Sequence, residues 1–120
     1  MNRVIINAIF PGEPVAWERV ARGRGGHMYK PKKTRAAQTK LQWELKAIGW
    51  HLEPIPIARF GIQLVFTTRK RNTDWDNYAK LLTDAFNGKI WEDDSQIDEA
   101  QVRVIRSALT PSTHFICYLI

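Results

Sequence analysis

Cysteine is nearly absent: Cys117 stands alone in 120 residues, which excludes an internal disulfide and any zinc site built on cysteine. Its place in the apolar run HFICYLI predicts a buried strand residue. No stretch approaches the ~18 consecutive apolar residues of a membrane span, so no membrane partner is expected. The opening MNRVIINAIF is too short and too β-like for a secretory leader. Internal repeats and low-complexity tracts are also missing. These absences together point to a reducing, cytoplasmic setting. Acidic residues are absent from one long segment: Arg19, Arg22, Arg24, Lys30, Lys32, Lys33 and Arg35 follow one another with no acid between them.

The net charge of +6 is the sum of two unlike regions. Asp74 to Glu99 holds eight acids and two bases, while the remainder holds sixteen bases and four acids. A second basic block, Arg69-Lys70-Arg71, directly precedes the acidic region. Such blocks suit a polyanion, because each neutralised phosphate releases counterions. A solvated basic face serving solubility, or one meeting an acidic protein or membrane surface, is the competing explanation.

The chain is one domain in length and ordinary in composition, with 44% hydrophobic and 25% charged residues. VIINAIF (Val4 to Phe10) predicts a strand stopped by Pro11-Gly12. Trp17 to Lys33 lacks a sustained period, and RGRGG makes it a basic loop or ragged hairpin. A helix is predicted from Thr34 as N-cap through Ile48, with Ala37, Leu41, Leu45 and Ile48 inward and Gly49 at its end. After the linker EPIPIA comes a strand from Phe60 to about Thr68. Tyr78, Leu81, Leu82, Ala85 and Phe86 then mark an amphipathic helix that Asn87-Gly88 stops. QIDEAQVRVIRSAL and THFICYLI read as two strands joined in a hairpin around Pro111. The expected fold is an α/β (α+β) single domain over residues 1–120. One mixed sheet carries two helices on one face, in the order β-α-β-α-β-β.

The acids carry the chemistry. In TDWDNYAK (Thr73 to Lys80), Asp76 falls at the predicted N-cap of the second helix, where a carboxylate meets backbone N–H groups and the positive end of the dipole. Capping would account for Asp76, but not for Asp74 or for Lys80 one turn on. A D-x-D alone also occurs in calcium loops, sugar-nucleotide enzymes and ordinary turns. An EF-hand is excluded, because Ala79 and Ala85 stand where glycine and glutamate are required. A second acidic run, WEDDSQID (Trp91 to Asp98), enters the third strand. Two carboxylates ~4 Å apart repel by roughly 4 kcal/mol at an effective dielectric of ~20. If both runs share one small volume, a cation must neutralise them, and oxygen-only donors favour Mg²⁺ or Mn²⁺. The alternative is solvated acids lying well apart in loops.

D-x-D-N-x-x-K on a strand-to-helix turn, preceded by arginines and followed by W-x-D-D-x-Q (Trp91 to Gln96), resembles the RusA family of Holliday junction resolvases, or crossover junction endodeoxyribonucleases. Arg22-Gly23-Arg24 is similar to that family's basic loop, and the chain length matches. The resemblance implies a small homodimeric, Mg²⁺-dependent endonuclease, with Mn²⁺ able to substitute and no small-molecule cofactor. Its substrate would be the four-way DNA junction, cut by paired symmetric nicks in recombination and repair, in a bacterial or phage-infected cell. Phage or prophage origin is common in the family. Carried over, Asp74, Asp76 and Asp94 match the three catalytic, metal-binding carboxylates, Lys80 the catalytic lysine, and Asp93 an adjacent acid. The sequence departs at Glu92, where an apolar residue is common, so Glu92, Asp93 and Asp94 all stay open as the third ligand. Arg19, Arg22, Arg24, Lys30, Lys32, Lys33, Arg69, Lys70 and Arg71 would hold DNA phosphates. Two rivals stand: a non-catalytic DNA-binding protein, and a Mg²⁺-dependent phosphohydrolase acting on nucleotides.

The remaining candidates are weaker. His27, His51 and His114 read as a basic-loop residue, a helix-end cation and a strand residue. The five tryptophans default to core or dimer interface, except that Trp75, between two proposed ligands, could stack on a base. Trp43, Ala47 and Trp50 form a second apolar stripe on the first helix, and with FICYLI they are the expected dimer surface.

Overall fold

Alternation decides the strands. In β1 (Arg3–Pro11), Ile6, Ala8 and Phe10 turn inward and their neighbours turn out, as a half-buried strand requires. β4 (Phe60–Thr68) buries Phe60, Ile62, Leu64 and Phe66, and β6 (Ser112–Leu119) buries Thr113, Phe115 and Cys117 on the same side. β5 (Ile97–Arg106) buries none of its residues fully. A computed structural model of the chain describes residues 2–18, 21–22, 24–26, 28–107 and 109–120, with the backbone alone at 21, 22 and 24.

The sheet is mixed, with the order β1-β6-β4-β5. β4 and β5 run parallel, from Phe60↔Ile97 to Thr68↔Arg106, and the other pairs are antiparallel. The predicted hairpin between the last two strands does not form. β6 instead inserts between β1 and β4, and β4 separates it from β5. Side-chain character explains the exchange. β6 brings the buried pair Phe115 and Cys117 and belongs in the middle. β5 carries Asp98, Glu99, Arg103 and Arg106, and such charges blunt an exposed edge.

Two helices cover one face. α1 (Lys32–Ala47) starts two residues before the predicted Thr34, with Pro31 at its N-cap position, and Thr34 is buried inside the first turn. Its apolar stripe ends at Leu45, because Ile48 is 49% exposed; Gly49, at φ +100°, turns the chain away. α2 (Trp75–Ala85) buries Tyr78, Leu81, Leu82 and Ala85 as its period demands. Phe10, Phe60, Phe86, Trp91 and Phe115 form an aromatic cluster between helices and sheet, with ring centroids 5.3–6.4 Å apart. Burying each such ring stabilises the fold by ~1.5–3 kcal/mol. The basic segment contains the expected ragged hairpin, β2 (Ala21–Arg22) against β3 (Met28–Tyr29). On the far side of the sheet, Tyr118 lies over Gly61, where a Cβ would collide with its ring, and its hydroxyl donates to Glu99 at 2.7 Å.

Cys117 is buried in the sheet, and burial pushes its thiol up to about 12. Among the described residues, no helix is long and apolar enough to cross a membrane.

Candidate active site

β4 ends at Thr68, and α2 begins after six intervening residues. The connecting turn carries the second basic block and the first two acids, and several groups brace it. The Glu13 carboxylate accepts from the Thr68 hydroxyl and from the Arg69 N–H at 3.2 Å. The Thr68 hydroxyl also accepts the Lys70 N–H at 3.0 Å and lies 3.2 Å from the Tyr78 hydroxyl. From the end of β5, Arg106 donates to the carbonyls of Lys70 at 2.9 Å and Thr73 at 2.6 Å.

Asp74, in extended conformation, occupies the N-cap position of α2, and its side chain makes no capping bond. The sequence places Asp76 there, but the helix starts two residues earlier and Asp76 lies in its first turn. Among the described residues, its carboxylate accepts only the adjacent Asn77 N–H, at 3.0 Å. Both exposed carboxylates therefore stand at the positive end of the helix dipole, free to take a further ligand. Trp75 between them is 58% exposed, with its ring in solvent beside both acids.

Lys80 follows one turn after Asp76. Its ammonium lies 4.9 Å from the centroid of the Trp17 ring and 3.8 Å from the Asp84 carboxylate. Asp76, Lys80 and Asp84 are spaced four residues apart and share one side of the helix.

The second acidic run divides by role. Asp93 caps the 3₁₀ turn Asp94–Gln96, accepting the Ser95 N–H at 3.0 Å, and these bonds hold its carboxyl below the usual range. Gln96 is the buried anchor: its oxygen accepts the N–H groups of Glu92 and Asp93, and its amide donates to the carbonyls of Ile55 and Ala58. Glu92 is exposed. Asp94 is half-buried and faces Asp84. Burial pushes Asp84 up, with Asp94 acting in the same sense; Lys80 and Lys30 act against it.

The structure thus brings together Lys80, Asp84, Asp94 and Lys30 toward one end of α2, and Asp74 and Asp76 at the other. From Asp76 to Asp84 the helix rises ~12 Å. Among the described residues, no three acidic, histidine or cysteine side chains lie close enough to hold one ion in common. Arg69, Lys70 and Arg71 are exposed beside Asp74, and a recess there is lined by Arg69, Arg71, Arg106 and Ser107. Lys32 and Lys33 are exposed in the first turn of α1, and the Lys30 ammonium donates to Gln38 at 2.8 Å. Arg19 and His27 lie outside the described residues, as do the side chains of Arg22 and Arg24. His114 pairs with Asn7 on the other face of the sheet, and His51 is exposed past α1. Sequence reasoning missed Asp84, Glu13 and Arg106. The spacing Lys80-x-x-x-Asp84 was a usable signal for the first.

Free carboxylates on a braced turn, edged by basic side chains, fit the nuclease class. A family model, endodeoxyribonuclease RusA, matches residues 11–114, nearly the whole chain. The chain belongs to the RusA endodeoxyribonuclease family, whose members resolve Holliday junctions, so DNA junctions are the implied binding partner. No curated protein matches it significantly.

Proposed function

We propose that the chain is a Mg²⁺-dependent junction endonuclease that nicks two strands of a four-way junction symmetrically, working as a twofold homodimer. The observation that carries this reading is the pair of exposed carboxylates, Asp74 and Asp76, at the head of α2, with Arg69, Lys70, Arg71 and Lys80 around them.

The donor set fits the ion. Carboxylate oxygens without sulfur or imidazole suit Mg²⁺ or Mn²⁺. Mg²⁺ is commonly held by one or two carboxylates together with substrate phosphates, so a closed protein cage is not required. Asp74 and Asp76 would provide the donors to one ion, and Asp94, beyond Lys80 toward the other end of α2, would serve a second. Asp93 is the weaker candidate, since its carboxylate already caps a turn. When bound, the ion would supply Lewis-acid stabilisation of the phosphoryl oxygens and lower the pKa of the attacking water. Lys80 offsets charge developing on the phosphate. Arg69, Lys70 and Arg71, with Lys30, Lys32, Lys33 and the arginines at 19, 22 and 24, hold neighbouring phosphates.

Two nicks related by the junction's approximate dyad call for two sites, which a symmetric pair of chains supplies. Trp43, 66% exposed, remains available for such an interface. Trp50 is half-buried instead, its indole donating to the Lys89 carbonyl at 2.9 Å.

The test is a synthetic four-way junction incubated with and without Mg²⁺, with sedimentation of the free protein in parallel. Paired nicks that require the ion, from a dimer, are expected. Binding without cutting under all ionic conditions would return the chain to the DNA-binding reading. Paired nicks from a monomer would remove the dimer.

A further inference from the structure

We propose that Trp17 is a positioning residue for Lys80, holding the ammonium over the acidic side of α2 by its ring face. The inference rests on the reading of Lys80 given above. Half of the Lys80 side chain is exposed, and its only ion pair among the described residues, with Asp84, has an N–O distance of 3.8 Å, the geometry of a weak surface pair. The ring of Trp17 is the other neighbour, at 4.9 Å from its centroid, within the range where an ammonium is attracted to an indole face. Trp17 is fastened to the helix that it serves: its backbone N–H donates to the Asn77 carbonyl at 2.9 Å, in the first turn of α2. The indole itself stands outside the hydrophobic core, although its neighbour Ala16 packs against it.

Chemistry gives this contact a purpose that a second carboxylate would not serve. A ring face attracts the cation without offering a competing oxygen acceptor, so the N–H donors of Lys80 that point away from the ring stay available for phosphate oxygens. Drawn onto Asp84 alone, the ammonium would be turned toward the far end of the helix. The ring gives it a second point of attraction, 4.9 Å from the Trp17 centroid. Trp17 also stands two residues before Arg19, where the long basic block begins.

The experiment compares Trp17→Phe, which keeps an aromatic face, with Trp17→Leu, which keeps only apolar bulk. Each is made in the wild-type chain and in a Lys80→Gln background. Single-turnover cleavage of a saturating synthetic four-way junction is measured with Mg²⁺, beside metal-free junction affinity and the thermal midpoint. Trp17→Leu is expected to slow cleavage by roughly three- to thirty-fold with affinity unchanged. Trp17→Phe should restore most of the rate, and Leu should add nothing in the Lys80→Gln background. A second readout does not depend on activity. The ring-shifted Lys80 side-chain resonances, identified by their loss in Lys80→Gln, should survive in Phe and move to random-coil positions in Leu. Equal rates for Phe and Leu, the same slowing in the Lys80→Gln chain, or unshifted Lys80 resonances in wild type would each overturn the proposal. A Lys80→Gln chain that cuts at the wild-type rate, with Lys80 resonances shifted as expected, would overturn the role of Lys80 in cleavage itself and leave the contact without a function.

Discussion

Replacing Arg106 by methionine keeps the aliphatic stem and removes the two bonds that tie the acidic turn to β5. Those bonds run to the carbonyls of Lys70 and Thr73, at 2.9 and 2.6 Å, and Thr73 is the residue before Asp74. A bond from a charged donor contributes ~1.5–3 kcal/mol when enclosed, but both carbonyls here are exposed and regain water. About 1–2 kcal/mol in total is the expected loss, a fall of only several degrees in thermal midpoint for a domain of this size. The catalytic effect should be larger, because a displacement of ~1 Å in a reacting group can cost ~10²-fold in rate. Cleavage of a saturating junction should therefore drop roughly ten- to a hundred-fold. Arg106 also lines the recess with Arg69 and Arg71, so it could act as a phosphate contact instead. The salt dependence of metal-free binding separates the two roles. A lost phosphate contact flattens the slope of log affinity on log salt by about one unit and is overcome by saturation. A lost brace leaves the slope alone and slows the saturated reaction. Unchanged saturated cleavage by a folded Arg106→Met chain would refute the bracing argument.

Single changes of Asp74, Asp76 or Asp94 to Asn should abolish cleavage while metal-free junction affinity holds or rises, since each removes a negative charge that faces phosphate; filter binding and nicking assays check this. Lys80→Ala should cut about 10²–10³-fold more slowly with junction affinity largely kept, as when a preorganised stabiliser is lost. Neutralising Lys32 and Lys33, or Arg22 and Arg24, should weaken binding to any DNA and lower the salt slope by about one unit per lost contact, read by titration over a salt series. The Asp98 carboxyl is held below its usual value by the hydrogen bond from Arg59. Its contribution is therefore present above the unfolded pKa of ~3.9 and is lost as pH falls through the folded value. Asp98→Asn should lower the thermal midpoint at neutral pH, and the difference from wild type should close in strong acid.

Much of this was legible because apolar periodicity survives folding. The stripe from Tyr78 to Phe86 and the run from Phe60 to Thr68 became α2 and β4 with small changes at their ends. Strand order was not legible. A short link around Pro111 suits a hairpin, and nothing local records that β6 is needed between β1 and β4. The same distinction holds at the site. Asp74, Asp76 and Lys80 share one local motif and could be read in advance. The division of labour between Asp93 and Asp94 depends on Gln96 reaching back to Ile55 and Ala58, a long-range bond. Glu13 meets Thr68 across 55 residues of chain, and no spacing rule announces it.

β5 separates two anchor points. Gln96, fixing the turn that bears Asp94, immediately precedes its first residue, and Arg106, fixing the turn that bears Asp74, is its last. The strand is thus a gauge that sets how far apart the two acidic segments are held. Two residues added within it would preserve which side chains face the helices, yet offset one segment from the other by ~7 Å. One residue added would turn Val102 and Val104 away from the core. Changes of length in β5 should therefore be far less tolerated than changes of composition along its exposed face.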